Sequence, residues 1–233
     1  MALSWRRWLG IDATVRVAAR EGYAVWADSY PPRPHNRLMA AEQEVVEPMI
    51  QLAAPERALD VGTGTGRYLT LLRAAGARFV VGVDMSLPML EHRQCATPRV
   101  CGDACKLPFA DGQFDLVCSS LMVGDVSDLD PWIAEATRVL APGGHLVYSD
   151  FHPSWAQHGW SRTFRSSGGE LHDVAFHART VDDHLAAIEG AGLRVRTIRE
   201  PRFKDDRDPE VKAFRKRWGN PQVVVVFHAV KEP

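Results

Sequence analysis

The residues with the clearest chemistry lie in one stretch, Ala58-Leu59-Asp60-Val61-Gly62-Thr63-Gly64-Thr65-Gly66-Arg67-Tyr68-Leu69. It starts apolar, as a buried strand does, and passes a carboxylate at Asp60. It then crosses Gly62, Gly64 and Gly66 and resumes with apolar residues at helical spacing. Glycines at that density admit positive φ and let backbone approach a ligand closely. A strand, a glycine turn and a helix N-terminus together aim N–H groups into a nucleotide-type pocket. A bare turn would need one glycine. The dinucleotide fingerprint G-x-G-x-x-G/A does not fit, because the third glycine comes one place early and Arg67 stands where Gly or Ala belongs. An acid two residues before the first glycine suits a cationic or amine-bearing group.

A second carboxylate follows at the expected distance. Phe79-Val80-Val81-Gly82-Val83-Asp84 is an apolar run closed by an acid, the pattern of a buried parallel strand with a carboxylate at its tip. Asp84 lies about twenty residues beyond the glycines, where a ribose-binding acid belongs in doubly wound nucleotide folds. A carboxylate can accept from both vicinal hydroxyls of a ribose. Met85, next in line, can pack on an adenine face, and Ser86 is placed to cap the following helix.

The order D-x-G-x-G-x-G resembles motif I of the class I S-adenosylmethionine-dependent methyltransferases. Gly102-Asp103-Ala104 with Leu107-Pro108-Phe109 is similar to the family's G-D-A-x-x-L-P-F motif, and Arg138-Val139-Leu140-Ala141-Pro142-Gly143-Gly144 to its R-V-L-x-P-G-G turn. The resemblance runs from about Tyr23 to Val147. It is nearest the small-molecule, methyltransferase-11-like type and more distantly similar to the quinone- and biotin-pathway enzymes. It implies S-adenosylmethionine as cofactor, held by Asp60, Gly62, Thr63, Gly64, Gly66, Asp84 and Met85. Asp103 would accept from the adenine amine and the Ala104 N–H would meet a ring nitrogen. Ser119, with Ser120 and Leu121, would line the pocket near the sulfonium.

The resemblance also implies a lid. Tyr23 to Met39, with aromatics before a proline break, reads as an ordered loop closing over the cofactor through Tyr30 and His35. Near Gly124-Asp125, where the quinone- and biotin-pathway relatives often carry an aromatic or His, this chain carries neither. A general base is required only for a hydroxyl or protonated-amine acceptor. His152, after a strand tip, is the first choice, followed by His158, His35 and His172; for each of them a purely structural role outweighs the catalytic one. The reaction expected is O- or N-methylation of a small-molecule acceptor. A nicotinamide-dependent oxidoreductase and a non-catalytic S-adenosylmethionine-binding protein are the alternatives.

These groups need a scaffold. Strand and helix signals alternate about seven times, which requires an α/β sheet with helices on both faces. The resemblance makes this a doubly wound, Rossmann-like, seven-stranded sheet, mostly parallel with the last strand antiparallel. Residues 1–50 are expected to form a helical lid, beginning with an amphipathic helix over 1–20. Residues 51–150 form the cofactor core. Residues 151–233 complete the sheet, with Ser154 to Phe176 as a substrate-covering insertion of neither period. The other helices are expected over Ala40 to Ala53 and Pro131 to Leu140 and from Thr180. The basic, aromatic stretch before Gly219 reads as a solvated face.

Bulk properties agree with a cytoplasmic enzyme. The 233 residues are 45% hydrophobic and 24% charged, with a net charge of −1, so no global field recruits nucleic acid or an anionic membrane. No apolar run approaches a membrane span, and the N-terminus lacks a signal-peptide h-region. Cys95, Cys101, Cys105 and Cys118 read as free thiols of a reduced compartment, and with His92 they match no standard zinc spacing, so no metal is expected. A monomer or homodimer is expected.

Overall fold

Strands buried on both faces need helices above and below them, and the chain supplies both. The computed structural model describes residues 14–91, 96–204 and 207–232. In order, it contains β1 (Val15–Val17), α1 (Ala19–Trp26), α2 (Arg37–Ala53), β2 (Arg57–Val61), α3 (Arg67–Ala74), β3 (Phe79–Asp84), α4 (Leu87–Leu90), β4 (Arg99–Cys101) and β5 (Phe114–Ser119). There follow α5 (Leu129–Val139), β6 (Leu140–Phe151), α6 (Ser154–His158), β7 (Thr163–Arg165), β8 (Leu171–Val174), α7 (Val181–Gly190), β9 (Leu193–Arg199), α8 (Pro209–Trp218) and β10 (Val224–Lys231).

The main sheet has seven strands in the order β4-β3-β2-β5-β6-β10-β9. β2 pairs parallel with β3 and β5, β3 with β4, and β5 with β6. The last strand, β10, is inserted antiparallel between β6 and β9. This is the expected doubly wound layout, last strand included. Strand order reverses at β2, so the crevice for a ligand opens beyond the carboxyl ends of β2 and β5.

Alternate residues of each strand feed two cores. Leu59, Val61, Val81, Val117, Tyr148 and Phe227 pack with Trp132 and Ile133 of α5 and Ile188 of α7. Ala58, Val80, Leu116, Val147 and Val226 pack on the other face with Val46, Met49 and Ile50 of α2 and Leu69 and Leu72 of α3. Capping fixes where the helices begin: the Asn36 side chain accepts from the Met39 N–H, Asp128 from Asp130, and Thr180 and Asp183 form a capping box. Ser86 departs from the expected cap. It stands at the N-terminus of α4 but makes no side-chain cap bond, and α4 is only one turn long.

Three expectations need revision. The helix placed over 1–20 falls mainly on residues 1–13, which lie outside the described residues; of the remainder, Val15–Val17 is a strand, paired parallel with β8. The expected loop from Tyr23 is helical up to Trp26 and continues as a 3-10 turn over Ala27–Ser29. The stretch from Ser154 contains α6 and the antiparallel β7–β8 pair, which joins β1 in a separate three-stranded sheet. Strands of three or four residues are too short to declare a period. Among the described residues no helix is long and apolar enough to cross a membrane.

Candidate functional site

The glycine turn after β2 is built for close approach. Gly62 (φ +73°) and Thr63 both donate N–H groups to the Val83 carbonyl, at 2.8 and 3.0 Å, which locks the turn to the end of β3. A Cβ on Gly62 would lie 2.4 Å from Cγ of Met122. Gly64 (φ +53°) is the opposite case, with nothing within 4 Å of where its Cβ would be. Its N–H donates to Oδ2 of Asp84 at 2.8 Å, and the Ser86 N–H donates to Oδ1 at the same distance. Each carboxylate oxygen is thus fixed by one backbone donor and keeps acceptor capacity. Burial pushes the Asp84 carboxyl up, while the Ser86 and Gly64 amides pull against that shift.

This turn forms one wall of a cavity of ≈ 430 Å³. Asp60, Gly62, Thr63 and Gly64 line it from β2 and the turn. Asp84 and Met85 line it from β3, and Asp103 and Ala104 from beyond β4. Tyr30 lines it from the N-terminal side. Two of the residues picked from the sequence do not line it. Gly66 is the N-cap of α3, and Ser119 is buried at the end of β5. Ser120 and Leu121 present themselves instead, the Leu121 N–H being held by Ser149 Oγ at 3.0 Å. The Thr65 hydroxyl is buried without a partner, the Thr63 hydroxyl is buried beside the Asp60 carboxylate, and both residues line the cavity. An orphaned hydroxyl beside an open glycine amide, with an acid at the end of the next strand, fits a ribose-bearing, partly polar guest such as S-adenosylmethionine.

Asp60 is 2% exposed and meets the Cys118 thiol at 3.5 Å. Burial, chiefly, pushes its carboxyl up to about 6. A cationic guest would reverse that shift, because an opposite charge nearby favours the ionised form.

Beneath the turn lies a polar hub that the sequence reading missed. Glu42 on α2 is 0% exposed. Its Oε2 accepts from Arg67 Nη1 at 3.1 Å, Arg67 Nη2 at 3.2 Å and Tyr68 Oη at 2.8 Å. Its Oε1 accepts from Ser120 Oγ at 2.7 Å and Ser149 Oγ at 2.8 Å. One carboxylate therefore ties α2 to the start of α3 and to the tips of β5 and β6. Two signals were available: Glu42 falls within the apolar stripe Met39, Val46, Met49 and Ile50, and Arg67 occupies an unexpected place after the glycines.

The four histidines lie away from this cavity. His152 receives the Ser154 N–H on Nδ1 at 3.1 Å, so its Nε2 carries the proton and donates to Glu200 at 2.9 Å. His35 meets the Tyr30 ring edge-on at 5.0 Å, and burial, chiefly, lowers its pKa. His172 is buried and stacked on Phe164 at 5.0 Å. His158 stacks on Trp160 at 4.8 Å and lines a second cavity. Asp150, near the tip of β6, takes the Phe151 N–H and faces His184 Nε2 at 3.3 Å. Cys101, Cys105 and Cys118 are free thiols, while His92 and Cys95 lie outside the described residues. Among the described residues no group of three or more His, Cys, Asp or Glu could hold a metal ion.

The second cavity, ≈ 760 Å³, meets the first at Tyr23, Tyr30 and Leu121. Its walls are largely aromatic: Trp26, Phe151, Trp155, Trp160, Phe214 and Trp218. Several of these come from the stretch after β6 and from α8, so the basic, aromatic stretch turns some of its rings inward.

Residues 59–148 match the family model described as a methyltransferase domain. A demethylmenaquinone methyltransferase of Thermus thermophilus is 42% identical over 109 residues, which cover 43% of this chain and 49% of that protein. One of Streptomyces avermitilis is 40% identical over 105 residues, covering 43% and 45%. The chain spans about half the length of the curated relatives it matches. The fold resembles an S-adenosylmethionine-dependent methyltransferase from Mesorhizobium loti, at TM-score 0.64 and 24% identity over 83% of this chain and 100% of that one. It also resembles a Haloferax volcanii putative methyltransferase solved with its Trm112 activator (0.68, 19%, 93% and 98%). The [4+2]-cyclase SpnF is similar too (0.62, 17%, 94% and 98%), so this fold by itself does not fix the reaction. Residues 59–148 thus match a methyltransferase-domain model, on a fold that resembles those of solved S-adenosylmethionine-dependent methyltransferases.

Proposed function

We propose that this protein transfers the methyl group of S-adenosylmethionine to a small-molecule acceptor held in the aromatic cavity. The observation that carries the reading is the junction: the cavity behind the glycine turn meets the aromatic cavity at Tyr23, Tyr30 and Leu121. Cofactor and acceptor can then approach each other across these three shared residues. The cofactor supplies an activated methyl on a sulfonium, and its transfer needs no further chemical activation on the leaving-group side. Asp84 receives the ribose hydroxyls, Met85 covers the adenine, and Asp103 and Ala104 read its edge. Asp60, Gly62, Thr63 and Gly64 hold the amino-acid end, and Gly66 starts the helix behind them. Ser119 supports the strand tip from within. Alignment of this kind supplies about 7–11 kcal/mol of a barrier.

In this reading residues 1–50 act as the lid, 51–150 hold the cofactor, and 151–233 complete the sheet and cover the acceptor. The aromatic walls favour a ring-bearing acceptor. The names of the curated relatives point the same way, towards a quinone-type molecule, with O- or N-methylation as further options. Of the four histidines only His158 lines the acceptor cavity, where its ring is stacked on Trp160; the reading assigns none of the four the acceptor proton. The protein would work in the cytoplasm as a monomer or homodimer, without nucleic acid, membrane or metal.

Calorimetric titration with S-adenosylhomocysteine tests the claim. Binding is expected for the native chain and its loss for Asp84→Ala. If the native chain ignores S-adenosylhomocysteine but quenches NADH fluorescence, the oxidoreductase reading replaces this one. If binding is normal and no acceptor in a broad screen is methylated, the protein binds the cofactor without turnover.

A further inference from the structure

Tyr23 stands where the two cavities meet and lines both. Its hydroxyl is held from behind: Arg162, just before β7, donates from Nη1 to Tyr23 Oη at 3.0 Å. The other arm of Arg162 pairs with the carboxylate of Asp125 and donates to the Ala175 carbonyl at 2.9 Å. The guanidinium also lies 5.4 Å from the ring centroids of both Tyr23 and Phe151. Three segments far apart in sequence converge here: α1, the turn after β5 and the approach to β7. Arg162 and Asp125 are almost fully buried, with side-chain exposures of 6% and 7%. Burying such a pair is costly, and apolar packing would hold the lid as well. What the pair does that apolar residues cannot is polarise the Tyr23 hydroxyl.

A phenol oxygen that accepts from a guanidinium becomes a better donor through its own hydrogen. Burial, chiefly, raises the Tyr23 hydroxyl's pKa; Arg162 pulls it down, and Asp125, Tyr30 and Asp84 push it up. Asp125 offsets the Arg162 charge, so the pair adds little net charge to the junction. Among the described residues the charged side chains lining the acceptor cavity are Arg37, Arg162 and Arg217 and one carboxylate, Glu210; an acceptor that arrives as an anion would give the sulfonium a partner at the junction itself. The aromatic walls call for that anion to be carried on a ring.

We propose that Tyr23, backed by Arg162 and Asp125, orients the acceptor by donating its hydroxyl hydrogen to a ring oxygen of phenol or naphthol type and favours that oxygen's ionised form. The inference rests on the methyltransferase reading of the two cavities. The acceptor O–H loses its proton to solvent before the site closes. A lone pair of the resulting anion then attacks the methyl carbon, and the electron pair of the breaking carbon–sulfur bond stays on sulfur. No histidine is needed at the junction.

The test uses 4-nitro-1-naphthol, whose ionised form is coloured, titrated with pH in the presence of S-adenosylhomocysteine. The native chain is expected to bind the probe and make it about tenfold more ionised near its midpoint, a shift of one pKa unit. Tyr23→Phe should bind S-adenosylhomocysteine as before and lose most of that gain. Equal ionisation on both proteins, or no binding of the probe to the native chain, overturns the proposal and leaves the methyltransferase reading standing. Loss of S-adenosylhomocysteine binding in Tyr23→Phe also overturns it, by making Tyr23 a cofactor residue. If the native chain itself fails to bind S-adenosylhomocysteine, both readings fall together.

Discussion

Arg67 turns its guanidinium onto Glu42, with Nη1 3.1 Å and Nη2 3.2 Å from the same carboxylate oxygen, and the two side chains are 9% and 0% exposed. The pair links α2, which packs on the sheet against β6 and β10, to the first residue of the helix that begins at the glycine turn. A small residue at position 67, as in the dinucleotide fingerprint, would leave Glu42 buried and unpaired. The glycine turn therefore depends on a charge 25 residues upstream in the chain.

Truncating Glu42 should be severe. Glu42→Ala leaves Arg67 buried without its counter-charge and strips the hydrogen-bond acceptor from Tyr68, Ser120 and Ser149. Breaking one side of such a pair costs about 3–5 kcal/mol. For a chain of this size that lowers Tm by roughly 6–20 °C. Differential scanning calorimetry reads it directly. The double variant Glu42→Met with Arg67→Met should recover a large part of the loss, since it leaves no charge stranded. An unchanged Tm in Glu42→Ala would show that the hub does not hold the turn.

Gly62→Ala tests the turn itself. The position has φ +73°, and the added Cβ would come 2.4 Å from Met122 Cγ. Strain of about 1–2 kcal/mol from the backbone adds to the displacement of Met122, a cavity residue. The variant should fold yet bind S-adenosylhomocysteine at least tenfold more weakly, about 1.4 kcal/mol, by calorimetry. Met122→Ala in the same background should restore part of the affinity by making room. Affinity equal to that of the native chain in Gly62→Ala would mean that the turn does not meet the ligand.

Much of this arrangement is legible in the sequence, for physical reasons that differ from residue to residue. Asp60, Gly62, Gly64 and Asp84 are legible because strand tips and glycine turns are local, and a parallel sheet brings strand tips to one edge. That β10 is a strand is legible through the length and apolarity of its run, while its antiparallel insertion is what the family resemblance implies. The junction is not. Tyr23, Asp125 and Arg162 are spread over 139 residues between the first and last, and no local pattern declares that they meet. The aromatic cavity hides for the same reason, since Trp160 and Trp218 come from two segments that read as loop and solvated helix. His152 misleads because it follows a strand tip, yet its ring is spent on Ser154 and Glu200.

Cofactor affinity should depend on pH through Asp60. Burial has pushed its carboxyl up to about 6, so the free protein holds a proton there below that pH. A cationic guest binds better to the ionised form. Binding should therefore tighten by about tenfold from roughly pH 5 to pH 7, as that proton is released. Asp60→Asn should bind more weakly near neutral pH and lose most of this dependence, with the residue left to Asp84, whose carboxyl is also raised. Titrations of both proteins with S-adenosylmethionine across that range measure it. A native profile as flat as that of Asp60→Asn would rule out Asp60 as the group that senses the cofactor's charge.

Stability should respond to pH at the far end of the sheet, where His145 Nδ1 lies 2.8 Å from His228 Nε2 across the β6–β10 pair. Burial first, then His145 and Arg196, hold His228 down to about 4. A histidine in the unfolded chain titrates near 6.5. Between those values the unfolded chain binds the extra proton, so folding becomes more favourable as pH rises through the window and gains nothing more above it. The expected gain is roughly 1–2 kcal/mol. Urea denaturation at several pH values, for the native chain and for His228→Gln, isolates it, because the opposing contribution of Asp60 is common to both and cancels in the difference. The native chain should lose stability relative to the variant as pH falls from about 6.5 to about 4. A constant difference across that window would mean that His228 titrates alike in the folded and unfolded chains.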